Sequence, residues 1–184
     1  MAKRLSEMTL SELWQLFPII LEEHNPCWAE WYREEGTVLA ALLPGAEISH
    51  IGSTAIPGIW AKPIVDILAE TEQDMRSVKQ RLEGAGWICM SESENRMSFN
   101  KGYTENGFAE RVFHLHLRRT GDNDEVYFRD YLINHPEAAK EYERLKLGLW
   151  KRFEHDRDGY TESKTEFVKK YTDIAKGRQP CNIP

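Results

Sequence analysis

Asp66 stands inside the apolar run Ile64–Ala69 (IVDILA), and no other residue constrains this chain as strongly. The β-branched, continuous character of that run predicts a buried strand. An unpaired carboxylate in such a strand costs several kcal/mol, so Asp66 requires a cation, hydrogen-bond donors or a metal. Strand alternation puts Asp66, Leu68 and Glu70 on one face and Val65, Ile67 and Ala69 on the other. A structural pairing with Lys62 or Arg111 is one way to satisfy Asp66. A ligand site is the other.

The residues ahead of Asp66 favour the ligand. Glu47–Ile51 (EISHI) reads as a short strand stopped by Gly52, and Gly52-Ser53-Thr54 follows. Glycine has no Cβ and lets the backbone turn tightly and approach a ligand. Ser53 and Thr54 add hydroxyls beside backbone N–H groups, the chemistry that holds phosphate oxygens. By itself the tripeptide reads more readily as a strand-to-helix turn with Ser53 as N-cap. Followed by an acid on the same side, it is what a Mg²⁺-nucleotide needs: a loop for phosphate and a carboxylate for metal.

The remaining pattern predicts an α+β fold. The aromatic N-terminal segment suggests a helix from about Pro18 to Gly36, loosened near Pro26, with Trp14, Phe17, Ile20, Trp28 and Trp31 as its apolar face. Thr71–Gly84 has helical spacing, with Thr71 or Asp74 as cap. Strands are expected at Trp87–Met90, Arg96–Tyr103 and Glu110–Arg119, the last two joined by an Asn-Gly turn at Glu105-Asn106-Gly107. Helices follow at Glu125–Asn134, from Pro136 through Phe153, and at Tyr160–Lys176 with Thr161 as cap. The chain is therefore expected to form one domain over 1–184: a mixed-sheet core (1–124), C-terminal helices (125–176) and a loose tail (177–184).

Two histidines offer further ligands. In Phe113-His114-Leu115-His116-Leu117 the H-x-H spacing sends both imidazoles to one strand face, where they can chelate a transition metal or place a base beside phosphate. On Asp66's face, Asp66, His114 and His116 would form a two-His-one-carboxylate set. The alternative is a solvated pair on a wet face. Lys62, Arg96, Arg111, Lys146 and Lys164 are candidate phosphate contacts, and Tyr160 a candidate for stacking on a base or bonding a sugar hydroxyl. Tyr160 and Lys164, four apart, would share a helix face. His50 and His135 sit at element ends and read as structural.

Composition narrows the partners. The formal charge of −6 argues against an extended nucleic-acid footprint, although a mononucleotide needs only a few donors. No apolar stretch approaches the length of a membrane span, and the N-terminus lacks a signal-peptide pattern, so a cytoplasmic protein without membrane association is expected. Cys27, Cys89 and Cys181 form no CxxC or Cys/His cluster. That pattern points away from a disulfide framework and a structural zinc site.

HIGSTAIPGIWAKPIVDI resembles the signature of the GrpB (UPF0157-type) family of nucleotidyltransferase-like proteins, and FRDYLINHPEAAKEYERLKLGL with RDGYTESKTEFV is similar to that family's helical region. The likeness runs from about Ser49 to Ala175. It implies a nucleotidyltransferase-like mixed β-sheet with an N-terminal helix and a helical C-terminal third. It places the HLH string within the family pattern, and Lys62 and Lys164 within its motifs. It further implies a nucleoside triphosphate as ligand or substrate, Mg²⁺ or Mn²⁺ as cofactor, and a small acceptor. Active nucleotidyltransferases resemble one another in two alternating carboxylates after the GS loop and a third on a neighbouring strand. Here Asp66 matches the first, and Leu68 stands at the second.

Three functions follow as expectations. In a nucleotidyltransferase, Gly52, Ser53 and Thr54 would hold phosphate, Asp66 the metal, and His114 or His116 would orient or deprotonate the acceptor, with Lys62, Arg111, Lys146, Tyr160 and Lys164 completing the nucleotide site. Leu68 suggests a non-catalytic nucleotide or metabolite binder on the same fold. A metal-dependent hydrolase would use Asp66, His114 and His116 with Zn²⁺, Mn²⁺ or Fe.

Overall fold

Two prolines divide the aromatic N-terminal segment, and the computed structural model, which describes residues 3–178, shows how. Helix α1 (Leu10–Leu16) begins at a reciprocal cap, in which Thr9 Oγ1 accepts from Glu12 N and Glu12 Oε2 accepts from Thr9 N. It ends before Pro18, which disfavours helical backbone at Phe17. Helix α2 (Cys27–Leu42) starts after Pro26, with Asn25 Oδ1 accepting from Cys27 N at 3.0 Å. The expected helix from Pro18 to Gly36 is thus replaced by two helices around an extended link. Ile20, assigned to its apolar face, is exposed in that link. Glu22 in the link forms an antiparallel bridge with Ala61, each accepting from the other's N–H at 2.9 Å.

Strand β1 (Glu47–Ile51) and strand β2 (Val65–Glu70) flank the glycine-serine turn. Helix α3 (Met75–Gly84), capped by Asp74, crosses over to strand β3 (Ile88–Glu92), strand β4 (Arg96–Thr104) and strand β5 (Gly107–Arg118). The sheet order is β1-β2-β5-β4-β3, antiparallel except for the central β2/β5 pair. This is the mixed-sheet α+β fold expected from the pattern. Among the described residues no helix is long and apolar enough to cross a membrane.

Alternation gives the sheet two unlike faces. Val65, Ile67, Ala69, Phe99, Phe113, Leu115 and Leu117 form the main core with Trp28 and Leu39 of α2 and Val78 and Leu82 of α3. Asp66, Leu68, His114 and His116 turn the other way. There, helix α4 (Asp124–Asn134), helix α5 (Pro136–Trp150), helix α6 (Arg157–Glu162) and helix α7 (Thr165–Ala175) build a second lobe. Ile56 and Ile59 of the loop before β2 join Phe128, Leu132 and Tyr142 in that lobe's core.

The expected helix Tyr160–Lys176 is two helices. Asp156, rather than Thr161, caps α6 by accepting from Gly159 N at 2.9 Å. Gly159 therefore lies inside a helix. A Cβ there would sit 2.5 Å from Asp156 Oδ2 and 2.7 Å from the Phe153 ring. Of the expected tail, residues 179–184 lie outside the described residues, and Cys181 with them.

Candidate functional site

Gly52 and Asp66 are built as a pair. Gly52 has φ +71°, and a Cβ on it would stand 2.5 Å from Asp66 Oδ2, so only glycine lets the turn close over the carboxylate. Antiparallel register sets Ile51 opposite Asp66, and parallel register sets His114 beside it. Asp66 Oδ1 faces His114 Nδ1 at 3.3 Å and His116 Nε2 at 3.5 Å. Burial raises the Asp66 carboxyl, but the hydrogen bonds from the two imidazoles overcome it and hold the group well below the usual carboxylate range.

A hydrogen-bonded chain runs on from Asp66. Tyr103 Oη meets His114 Nε2 at 2.8 Å, and Arg157 Nη1 donates to Tyr103 Oη at 3.0 Å. Burial pushes His114 below its ordinary value against the pull of Asp66. One proton placement satisfies all these contacts: the neutral ring donates from Nδ1 to Asp66 and accepts at Nε2 from the Tyr103 hydroxyl.

Tyr103 reaches this face through a break in β4. Residues two apart on a regular strand share a face. Lys101, however, pairs with Glu35 of α2 at 2.7 Å, whereas Tyr103 reaches His114 on the opposite side. The register shifts between them at Gly102, whose φ is +91° and whose missing Cβ leaves room for the Arg111 carbonyl. Simple alternation assigns Tyr103 to the wrong face. A glycine inside a strand was the one available signal.

Around this chain lies a group of lysines. Lys62 and Lys164 stand over the ring of Tyr160, with Nζ 5.9 and 4.1 Å from its centroid. Lys146 Nζ lies 4.9 Å from the Tyr142 centroid and donates to the Trp60 carbonyl. Burial lowers Lys62 to about 8, with Arg157 adding to the effect. Burial likewise lowers Lys146 to about 7, and lowers Lys164 to about 7 with help from Lys62 and Lys146. None of the three is in a salt bridge with a described residue. Glu143, the carboxylate acting on Lys146, accepts from Lys140 Nζ at 2.9 Å and Trp60 N at 2.8 Å. The Tyr142 hydroxyl, raised to about 12 by burial, joins Ser53 to this group.

Several expected ligands take other posts. Thr54 is buried, with its hydroxyl 3.0 Å from His50 Nε2, so it faces the protein. Tyr160 is fully buried beneath the lysines, so it cannot stack on a base. Arg111 is on the opposite sheet face, paired with Glu34 and 5.6 Å from the Trp31 ring centroid. Arg96 binds Asp122 through two nitrogens at 2.6 Å each. Glu70 accepts from Gly121 N at 2.8 Å and from Asn123 Nδ2. It fastens the start of α4 and does not replace the carboxylate missing at Leu68, itself fully buried. His50 stacks on Tyr32, and His135 stacks on Tyr131, both structural roles.

The metal expectation is revised by the same geometry. Asp66, His114 and His116 do meet, but both imidazoles address one oxygen as hydrogen-bond partners. Among the described residues no group of three His, Cys, Asp or Glu side chains is disposed to hold a metal ion. Two-cation phosphoryl chemistry needs several anionic ligands, and among the described residues Asp66 is the carboxylate that meets the two imidazoles. The donor set does not fit a pair of divalent cations. What the arrangement provides is a fixed histidine tautomer beside an excess of positive charge.

The mixed sheet, the glycine-serine corner over an acid, and the helical lobe that contributes lysines define a class of α+β proteins with a lysine-rich corner. The chain belongs to the GrpB family: the family model described as "GrpB protein" matches residues 18–173. The chain is similar to a UPF0157 protein of Pseudomonas aeruginosa, at 38% identity over 78% of this chain and 62% of that protein. It is 35% identical to the glutamate-rich protein GrpB of Alkalihalophilus pseudofirmus, over 82% of this chain and 91% of the relative. A UPF0157 protein of Bacillus subtilis is 33% identical over 86% of this chain, which spans about half (49%) of that protein. Among solved structures, the conserved protein GrpB from Enterococcus faecalis superposes with a TM-score of 0.73 at 30% identity, covering 85% of this chain and 96% of that one.

Proposed function

We propose that this protein binds a nucleotide or closely related phosphate ester by its phosphate chain, at the corner between Gly52-Ser53 and Lys62, Lys146 and Lys164. One observation carries the reading. Three lysines converge there, none of them in a salt bridge with a described residue, and burial has weakened each as a cation. A phosphate chain supplies the missing negative charge and the acceptors for their N–H groups. Ser53 and the turn's backbone offer further donors. A cavity of about 270 Å³ adjoins the group, lined by Lys62, Arg157, Trp28 and Val112 among others, and gives the rest of such a ligand room.

Titration calorimetry with ATP, GTP, CTP and UTP, each with and without Mg²⁺, tests it. Saturable binding by wild type that weakens in Lys164→Gln supports the reading. No binding to any of the four, or binding indifferent to Lys164→Gln and Lys62→Gln, overturns it.

A second reading, nucleotidyl transfer to a small acceptor, is favoured by the Asp66–His114–Tyr103 chain. An acceptor hydroxyl that displaces Tyr103 would give its proton to His114 Nε2 as its oxygen attacks phosphorus and pyrophosphate leaves. Pyrophosphate release in single-turnover mixtures separates this reading from binding alone. Metal-dependent hydrolysis through Asp66, His114 and His116 lacks support from their geometry.

A further inference from the structure

Arg157 stands between the cavity beside Lys62 and a second one. The second cavity, of about 350 Å³, lies beneath α1. Its walls are Leu10, Leu13, Trp14 and Phe17 on one side and Ile88 and Met90 of β3 on the other. Among the described residues seven large hydrophobic side chains are exposed, and three of them, Leu10, Ile88 and Met90, line this one space. Isolated exposed apolar residues need no explanation, but a convergent set around a concavity does.

The floor is polar. Asn100, Tyr103 and Arg157 line it. Asn100 is more than nine-tenths buried, and no described residue hydrogen-bonds its side-chain amide. Arg157 has a buried Nε without a partner, and its Nη1 donates to the Tyr103 hydroxyl. No described carboxylate forms a salt bridge with it. Asp158, on the rim of the same space, is exposed and unpaired with Arg157. A half-buried guanidinium whose buried Nε–H is open and has no anion is costly to keep unless a ligand completes it.

We propose that this cavity binds a small carboxylate with an apolar body. Its carboxylate would accept from Arg157 and the Asn100 amide, and its aliphatic or aromatic part would lie between α1 and β3. The chemistry is a charged fork at the floor of an apolar slot, the usual division of labour in a small-molecule site. The head would come to rest beside Tyr103, whose hydroxyl is bonded to His114, so the occupant would be a second ligand of the site. The assignment stands on Arg157 and the slot, not on the lysines, so it can fail or succeed separately from the nucleotide reading.

Octanoate and indole-3-acetate, with 1-octanol and indole-3-ethanol as matched uncharged analogues, are the probes. Binding is followed by saturation-transfer NMR and by the fluorescence of wild type and of Trp14→Phe. Each acid is expected to saturate and to bind at least about tenfold more tightly than its alcohol, because a charge-assisted hydrogen bond is lost in the alcohol. Arg157→Gln should erase that preference, and Arg157→Lys should restore part of it. Met90→Glu, a change at an exposed position that leaves the core untouched, should weaken both acids by adding a like charge beside an apolar wall. Melting curves confirm that each variant is folded. Equal binding of acids and alcohols, acid binding unaffected by both Arg157→Gln and Met90→Glu, or no saturable binding at millimolar concentration overturns the proposal. Loss of ATP binding in Lys62→Gln and Lys164→Gln with carboxylate binding intact would show that the two ligands occupy separate places.

Discussion

The two faces of the sheet treat charge in opposite ways. Toward α2, Lys101 meets Glu35 at 2.7 Å and Arg111 meets Glu34, so the charges named there are answered within the chain. Toward the helical lobe, Lys62, Lys146, Lys164 and Arg157 gather where the nearby acids are already engaged, Asp66 by two imidazoles and Glu143 by Lys140 and the Trp60 N–H. A charge that serves only the fold gains from a partner close by. Cations kept together without one lower stability in the empty protein, and an anion that enters can return that energy. On the proposed reading, the contrast separates structural charges from ligand-directed ones without appeal to any motif.

Removing charge from the two faces should therefore have opposite consequences. The largest effect is expected from Lys62→Gln with Lys164→Gln: triphosphate affinity should fall by about a hundredfold or more, from two charge-assisted contacts at roughly 1.5–3 kcal/mol each. The melting temperature should hold or rise, since mutual repulsion is relieved. A clear drop in Tm would mean that these lysines serve the fold after all. Next in size is Gly52→Ala, which imposes an unfavourable backbone conformation and a contact with Asp66. Denaturant unfolding should show a loss of about 2–4 kcal/mol. The double variant with Asp66→Ala should lose less than the two single effects combined.

Lys101→Gln tests the paired face. It leaves Glu35 without its cation and should cost about 1–3 kcal/mol, toward the lower end because Lys101 is about a third exposed (34%). Triphosphate affinity should be unchanged, and a fall would break the separation between the faces.

Proton linkage gives a smaller, graded signal. Lys146 and Lys164 lie near 7 in the folded protein, well below the ordinary lysine value of 10.5. Between about 7 and about 10.5 the unfolded chain binds more protons than the folded one, so stability without ligand should rise with pH across that window. A bound phosphate favours the charged lysines, so affinity should fall over the same range and binding should take up protons. Calorimetry in buffers of different ionisation enthalpy reads the uptake directly. Proton release at pH 8 would contradict it. The smallest change is expected from chelating Mg²⁺: with binding carried by lysines, EDTA should leave affinity nearly intact.

Much of this was legible in the sequence, for identifiable reasons. Asp66 in an apolar strand, the glycine before Ser53, and the alternation that brings His114 and His116 to Asp66 are local rules of strand geometry. So were the strands of the sheet and the start of α5 at Pro136. Other features depended on contacts between distant parts of the chain. Arg111 was chosen for its charge, but strand parity sends it to the α2 face. Tyr160 was chosen for its ring, but the lysines and the lobe around it seal it. Thr54 turned inward because His50 offers it a partner. Arg157 opens the RDGYTESKTEFV string but shows nothing there that sets it apart, and Asn100 lies in no motif; only the cavity that α1, α6 and β4 line together brings them to notice.

The break at Gly102 has a consequence for observation. It makes neighbouring parts of one strand serve opposite sides of the sheet, so β4 links the Tyr103 hydroxyl mechanically to Lys101. Lys101 Nζ lies 5.5 Å from the centroid of Trp87, a buried indole. An occupant that pulls Tyr103 away from His114 would tug this strand and alter the field at that indole from the far side. Trp87 would then serve as a native optical gauge of events at a site it never touches.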